Sequence, residues 1–318
     1  MVWIMFIGGL ICLIAGAEIL VRGSSRIAAF LGMQPLVIGL TVVAFGTSSP
    51  ELAVSIKSVL SGDASLAVGN VVGSNIFNIL FILGISAVII PLSVSQKLIR
   101  IEIPLMIAIS LLTWLFAFSG EITQIEGAIL FGCLVLYIWF LIWEARREGT
   151  SEQFESFAVS QTPGIGRWVL NILLVAGGLG LLVFGSRLFV DSAVEIARWF
   201  GVSELVIGLT IVAAGTSMPE VVTSIIAAVK GERDIAVGNV VGSNLFNLLG
   251  VLGISGMVAG DGLQVMNSAI MIDIPVMIAV ALLCLPVFFT GKKISRGEGW
   301  LLLILYVSYT AWLILSAS

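Results

Sequence analysis

Residues 39–52 read GLTVVAFGTSSPEL and residues 67–86 read AVGNVVGSNIFNILFILGIS; residues 208–221 read GLTIVAAGTSMPEV and residues 236–255 read AVGNVVGSNLFNLLGVLGIS. Both pairs fall in one ungapped match of residues 38–89 with residues 207–258. More than half of the aligned positions are identical, which two unrelated apolar segments would not share, so the chain carries an internal repeat. Each copy sets a single carboxylate, Glu51 or Glu220, directly after a proline in an apolar run. An ionisable side chain at such depth is expensive, and a duplicated one marks a functional position.

Outward from the motif, the chain remains apolar. Its 318 residues are 59% hydrophobic and 11% charged, with a mean hydropathy of +1.16. These values exclude a soluble globular domain and indicate a polytopic membrane protein. A helix needs roughly 20 apolar residues to cross the hydrocarbon core. Ten segments meet that length, at approximately 2–22, 36–60, 66–90, 98–118, 123–144, 168–190, 205–229, 235–258, 267–289 and 298–316. The runs are continuous rather than alternating, which excludes a transmembrane barrel. The expected fold is therefore all-α, with ten transmembrane helices.

The repeat reaches beyond its strongest part. Gly8-Gly9-Leu10 matches Gly177-Gly178-Leu179, Gly16 matches Gly185, and Glu102-Ile103-Pro104 matches Asp273-Ile274-Pro275 after a slip of two residues. Each half thus holds five spans, and an odd number forces the second half to cross in the opposite sense. Such inverted five-helix repeats place a substrate site near the midplane. Three parts follow: a first repeat half at 1–143, a linker at 144–167 and an inverted second half at 168–318. The linker, which begins EARREGTSEQFES, is too short to fold alone, and no regulatory domain is expected. Placing it in the cytoplasm, with both termini outside, puts 12 of the 15 basic residues on the inner side. The location implied is the plasma (inner) membrane. The first span lacks a basic leader and a small-residue cleavage site, so it reads as a retained helix.

Cys12, Cys133 and Cys284 are scattered through apolar segments and read as packing residues. There is no histidine, which removes the commonest transition-metal ligand and the usual proton shuttle. No nucleophile–base pair or phosphate-binding loop appears, so neither an enzyme nor an ATP-driven pump is expected. No cofactor, nucleic acid or obligate protein partner is implied.

In Gly46-Thr47-Ser48-Ser49-Pro50-Glu51, the proline supplies no N–H and its ring clashes with the Gly46 carbonyl. Main-chain carbonyls near the break, Thr47's included, leave the helix ladder. Within a bilayer they are tolerable only where they line a polar site. Gly215-Thr216-Ser217-Met218-Pro219-Glu220 repeats the arrangement from the opposite side. The helices that follow carry polar stripes at spacing four: Asn70, Ser74, Asn78, and Asn239, Ser243, Asn247. Two carboxylates with carbonyl, hydroxyl and amide oxygens form a hard ligand set, suited to Ca²⁺ and Na⁺ rather than zinc or copper. Asn70 and Asn239 are as well suited to hydrogen bonds between helices. Glu18/Arg22 and Arg187/Asp191 read as structural i,i+4 pairs, and Glu102 and Asp273 as span-end residues at the interface.

GTSSPE followed by GSNIFN, with GTSMPE followed by GSNLFN, resembles the paired repeats of the Ca²⁺/cation antiporter superfamily, specifically its prokaryotic-type sodium/calcium exchanger branch. The resemblance covers essentially the whole chain. It implies a secondary active antiporter exchanging Na⁺ for Ca²⁺ by alternating access, with three Na⁺ against one Ca²⁺. It also implies a shared ion site: Glu51 and Glu220 as common ligands, the carbonyls of Ala44, Thr47, Ala213 and Thr216, and the side chains of Ser48, Ser74, Asn78, Ser217, Ser243 and Asn247. Proton-coupled relatives carry Gly-Asn-x-x-Glu in place of Gly-Thr-Ser-x-Pro-Glu, so sodium coupling is expected. Some relatives, including potassium-dependent ones, have Asp where Asn247 stands; here two carboxylates balance one Ca²⁺ and leave no charge for K⁺. The alternatives are a Ca²⁺/H⁺ antiporter and, further off, a passive cation channel. The glycines of the first and sixth spans are expected to form smooth faces that slide over the ligand-bearing core.

Overall fold

The computed structural model describes residues 1–148, 164–202, 207, 211, 213–289 and 291–317. Most of the linker, and residues 208–210 and 212 of the second repeat copy, lie outside them.

The chain begins with α1 (Val2–Leu31), which stops where Gly32 takes a left-handed conformation that a side chain would disfavour. Next come α2 (Pro35–Thr47) and α3 (Ser49–Leu60), bent by 42° relative to one another. They are followed by α4 (Ala64–Ile89), α5 (Leu98–Ala117) and α6 (Gln124–Glu148). The second half repeats the order as α7 (Ile165–Trp199), the short α8 (Ala213–Gly215), α9 (Met218–Val229), α10 (Arg233–Val258), α11 (Ala269–Phe289) and α12 (Arg296–Ala317). Among the described residues eight helices are long and apolar enough to cross a bilayer, and the bent α2–α3 pair makes a ninth. The expected span at 205–229 is described only over α8 and α9 and a few residues before them. This is a multi-pass integral membrane protein.

Four two-residue strands show how the halves interlock. β1 (Leu92–Ser93) pairs antiparallel with β4 (Lys293–Ile294), and β2 (Glu121–Ile122) with β3 (Leu263–Gln264). Each ribbon joins one half to the other, and each is the other's counterpart under the repeat. The same relation orders the interior: the central stretch of α10 is wholly buried and that of α4 largely so, whereas α1, α6, α7 and α12 form the lipid-facing rim. Among the described residues, five π-helical segments interrupt the helices, at Gly39–Val43, Asn78–Leu83, Leu98–Glu102, Asn247–Val251 and Ala269–Asp273. Four of them are mirrored between halves. Such wide turns concentrate at functional sites, and two of these begin on the candidate ligands Asn78 and Asn247.

Several expectations change. Spans 2–22 and 168–190 extend into helices of 30 and 35 residues. At about 1.5 Å per residue these exceed a hydrocarbon core of about 30 Å, so α1 and α7 tilt or run past it. The charges that seemed to end the first span are neutralised in place: Glu18 accepts from Arg22 at 3.1 Å and from Lys230 at 2.7 Å. Arg187 and Asp191 form no corresponding ion pair among the described residues. Glu102 does not face outward at its span end. It is fully buried and accepts a hydrogen bond from Tyr137 at 2.6 Å, as Asp273 accepts from Tyr309 at 2.8 Å. The glycines do not face the core either. A Cβ added to Gly16 would lie 2.8 Å from the Gly178 carbonyl, and one on Gly9 would lie 3.0 Å from the Gly185 carbonyl. They form the seam where α1 and α7 touch backbone to backbone, while Gly177 and Gly180 have open space.

Candidate functional site

The bend between α2 and α3 follows from Pro50, the second residue of α3. The carbonyl it frees on Gly46 is taken by the Ser49 hydroxyl at 2.7 Å. The Ala44 carbonyl still accepts the Ser48 N–H at 3.0 Å and the Thr47 hydroxyl at 3.4 Å, whereas among the described residues no main-chain N–H outside the helices reaches the Thr47 carbonyl. The bend also brings Glu51 into the first turn of α3, where a carboxylate meets the positive end of a helix dipole. Glu220 has the same place in α9, after Pro219. Both glutamates are buried, at 0% and 1% exposure.

The two motifs are tied to each other reciprocally. Ser217 donates to Glu51 Oε1 at 2.8 Å, and Ser48 donates to Glu220 Oε1 at 2.8 Å. Each copy's serine therefore holds the other copy's carboxylate. Ser217 also reaches the Ser74 hydroxyl at 3.2 Å, which brings the α4 stripe to the same point. Thr216 lies beside Glu51, Thr47 and Ser243 lie beside Glu220, and the carboxylates are within electrostatic range of one another. The remaining oxygen of each glutamate, Oε2, is buried without a hydrogen-bond partner. So are Asn78 Oδ1, Asn247 Oδ1, Ser243 Oγ and Thr216 Oγ1. Buried polar atoms are rarely left unpaired, and six acceptors around two motif breaks fit a cation that needs oxygen ligands.

Sequence reasoning missed the residues that orient this set. Asn75 Oδ1 accepts from Asn247 Nδ2 at 3.1 Å, and Asn244 Oδ1 accepts from Asn78 Nδ2 at 2.9 Å. With their NH₂ groups engaged, Asn78 and Asn247 present their carbonyl oxygens outward. Asn75 and Asn244 are fixed in turn by donating to each other's main-chain carbonyls at 3.2 and 3.3 Å. A period-four stripe passes over position 75 because it lies on the next face of the helix; the first asparagine of both GSNxFN copies was the available signal. Asn70 and Asn239 act between helices. Asn70 donates to the Glu51 carbonyl and to Ser55, and Asn239 donates to the Glu220 carbonyl and to Ser224. Thr47 donates to Asn239 Oδ1 at 3.1 Å. Ala213 lies in α8. Among the described residues no cluster of three or more His, Cys, Asp or Glu exists that could hold a metal, so a cation here relies on two carboxylates and neutral oxygens.

Known proteins resemble the chain over nearly its whole length. The family model described as sodium/calcium exchanger protein matches residues 1–143 and 170–315. The putative antiporter CaxA of Alkalimonas amylolytica is 40% identical over 305 residues, which are 95% of each chain. The sodium/calcium exchanger MaX1 of Methanosarcina acetivorans is 32% identical over 95% of each chain. Inner membrane protein YrbG of Escherichia coli K12 is 35% identical over 97% of this chain and 96% of its own. Among solved structures, the sodium-calcium exchanger NCX_Mj soaked with zero Na⁺ and Ca²⁺ superposes with a TM-score of 0.82 at 31% identity, covering 97% of both chains.

Proposed function

The chain belongs to the sodium/calcium exchanger protein family, and on that premise we propose that it is a secondary active antiporter exchanging Na⁺ for Ca²⁺ at the paired glutamates. The observation that carries this reading is the crossed pair of bonds, Ser217 to Glu51 and Ser48 to Glu220, with both outer carboxylate oxygens left unpartnered. The ligands we assign are Glu51 and Glu220, with Ser48, Ser74, Asn78, Ser217, Ser243 and Asn247 through side chains, and Ala44, Thr47, Ala213 and Thr216 through carbonyls. Together they offer enough oxygens for the six to eight that Ca²⁺ takes. Two ionised carboxylates balance one Ca²⁺, and Na⁺ entering the same oxygens displaces it. Occupancy by one species excludes the other, which makes the cycle an exchange and not a leak.

Alternating access moves the α1–α7 unit over this core, opening the site to one side at a time. With three Na⁺ against one Ca²⁺, each turnover moves one net charge, worth about 2.3 kcal/mol per 100 mV of membrane potential. The basic residues orient the molecule with both termini outside and the linker in the cytoplasm.

The test is ⁴⁵Ca²⁺ uptake into proteoliposomes under an imposed Na⁺ gradient. Uptake that follows the Na⁺ gradient and is abolished in Glu51→Gln and Glu220→Gln is expected. Uptake in Na⁺-free vesicles driven by a pH gradient would transfer the site to Ca²⁺/H⁺ exchange. Flux without any counter-ion would make it a channel.

A further inference from the structure

At the end of α1 and the start of α7 lies a second polar site, away from the carboxylates. A cavity of about 310 Å³ is lined by Arg26, Phe30, Arg167, Leu170 and Asn171. Some basic side chains near helix ends are neutralised, Arg22 and Lys230 by Glu18 and Lys97 by Glu144. Arg26 and Arg167 are not, for neither has a carboxylate partner among the described residues. Two guanidinium groups line one cavity with no counter-charge among the described residues. They stay there because the helices are locked just before it, where a Cβ on Gly23 would lie 3.2 Å from the Asn171 carbonyl.

Asn171 adds an independent demand. It is 2% exposed and its Oδ1 has no donor. The cavity therefore asks for an anion and also for a hydroxyl. Its surroundings set the depth: Phe30 packs on Trp168 with ring centroids 5.6 Å apart, and Leu170 is exposed beside them. Paired aromatics beside arginines mark the membrane–water boundary, and basic pockets between helices there hold lipid headgroups.

We infer that this cavity binds an anionic phospholipid whose headgroup carries a hydroxyl, of the phosphatidylglycerol class. Arg26 and Arg167 grip the phosphodiester, the geometry to which guanidinium forks are matched. The glycerol hydroxyl donates to Asn171 Oδ1, and the acyl chains run along Leu170. Because one arginine belongs to α1 and the other to α7, the lipid bridges the two helices and stiffens their seam.

Native mass spectrometry of the purified full chain tests this with phosphatidylglycerol, phosphatidylethanolamine, phosphatidylmethanol and inorganic phosphate as probes. Phosphatidylglycerol is expected to be retained over phosphatidylethanolamine. The double variant R26Q/R167Q should lower its affinity about thirtyfold, at about fivefold per basic residue, and R26K/R167K should recover most of it. Phosphatidylmethanol keeps the phosphodiester but has no hydroxyl, so it should bind more weakly than phosphatidylglycerol to the parent chain and equally to Asn171→Ala. Equal retention of phosphatidylglycerol and phosphatidylethanolamine overturns the proposal, as does unchanged binding in R26Q/R167Q. Displacement by millimolar inorganic phosphate would make this a free-anion site. Should the arginines pair instead with Glu152 or Glu155 of the linker, no lipid would be retained. If R26Q/R167Q does not fold, competition between phosphatidylglycerol and phosphatidylmethanol on the parent chain decides.

Discussion

Ser186 on α7 donates its hydroxyl to the Gly215 carbonyl at 2.8 Å, doing from a neighbouring helix what Ser49 does locally for Gly46. In both copies the proline strips an N–H from that carbonyl. The second copy has Met218 where the first has Ser49, and so lacks a local donor. It compensates on α7: Ser186 stands where the first half has Ala17. The hydroxyl has changed helix while the carbonyl it serves has not.

Ser186→Ala should therefore leave a buried acceptor unpaired and destabilise the protein by about 1–3 kcal/mol. Adding Met218→Ser should restore most of the loss by recreating the local donor. Thermal unfolding in detergent reads both effects. A double variant no more stable than Ser186→Ala would show that the hydroxyl serves some other purpose.

A second prediction concerns a residue that is not itself an ion ligand. Asn75 holds the Asn247 amide by accepting from its Nδ2 at 3.1 Å. In Asn75→Ala that amide is free to turn and present NH₂ to the cation instead of oxygen. Losing an outer partner of this kind typically weakens metal binding by about 10–100-fold. We expect the apparent Ca²⁺ affinity to fall in that range while maximal exchange changes less. Asn244→Ala should act likewise through Asn78, whose Nδ2 Asn244 accepts at 2.9 Å. Unaltered Ca²⁺ affinity in both variants would remove the orienting role.

How much of this was legible in the sequence depends on whether a feature repeats on one face. Glu51 and Glu220, their preceding prolines, and the serines that cross-bond to them all stood out because both copies carry them in register. Asn75 and Asn244 repeat as well, but lie one residue off the stripe, where a helix turns by about 100°. The π-helical turns at Asn78 and Asn247 leave no composition signature. The seam between α1 and α7 was visible as glycine spacing, but spacing gives no partner. It took the contact of Gly16 with Gly178 to place those glycines against each other. Glu102 looked like an interfacial residue because its phenol, Tyr137, lies 35 positions away on another helix.

Asn247→Asp combines charge with geometry. It raises the site to three carboxylates, one more than Ca²⁺ balances, and so invites an additional monovalent cation. It also places an acceptor against Asn75 Oδ1, which obliges the Asn75 amide to turn over. Ca²⁺ uptake in reconstituted vesicles should then acquire a dependence on K⁺, or a changed Na⁺ cooperativity, with little loss of folded protein. Identical Na⁺, K⁺ and Ca²⁺ dependence in variant and parent would argue against a place for Asn247 in the ion shell.

The last prediction separates the moving unit from the site it covers. α7 crosses both motif breaks: a Cβ on Gly46 would meet the tip of Leu179 at 2.4 Å, and one on Gly215 would meet Val190 at 2.6 Å. Those two α7 residues are about three turns apart and share a face. At Gly46 the obstacle is the end of a flexible side chain, so Gly46→Ala should displace Leu179 and shift how α7 seats over the site. Gly178 differs, because an added Cβ would lie 2.7 Å from the Leu20 nitrogen and 2.8 Å from the Gly16 carbonyl. Backbone cannot step aside as a leucine can, so Gly178→Ala must part α1 from α7. Overpacking of that sort costs about 1–3 kcal/mol. Gly46→Ala should thus alter exchange rate with nearly parental melting, whereas Gly178→Ala should lower melting and rate together. The α1–α7 seam would lose its standing as a rigid unit if Gly178→Ala melted like the parent chain.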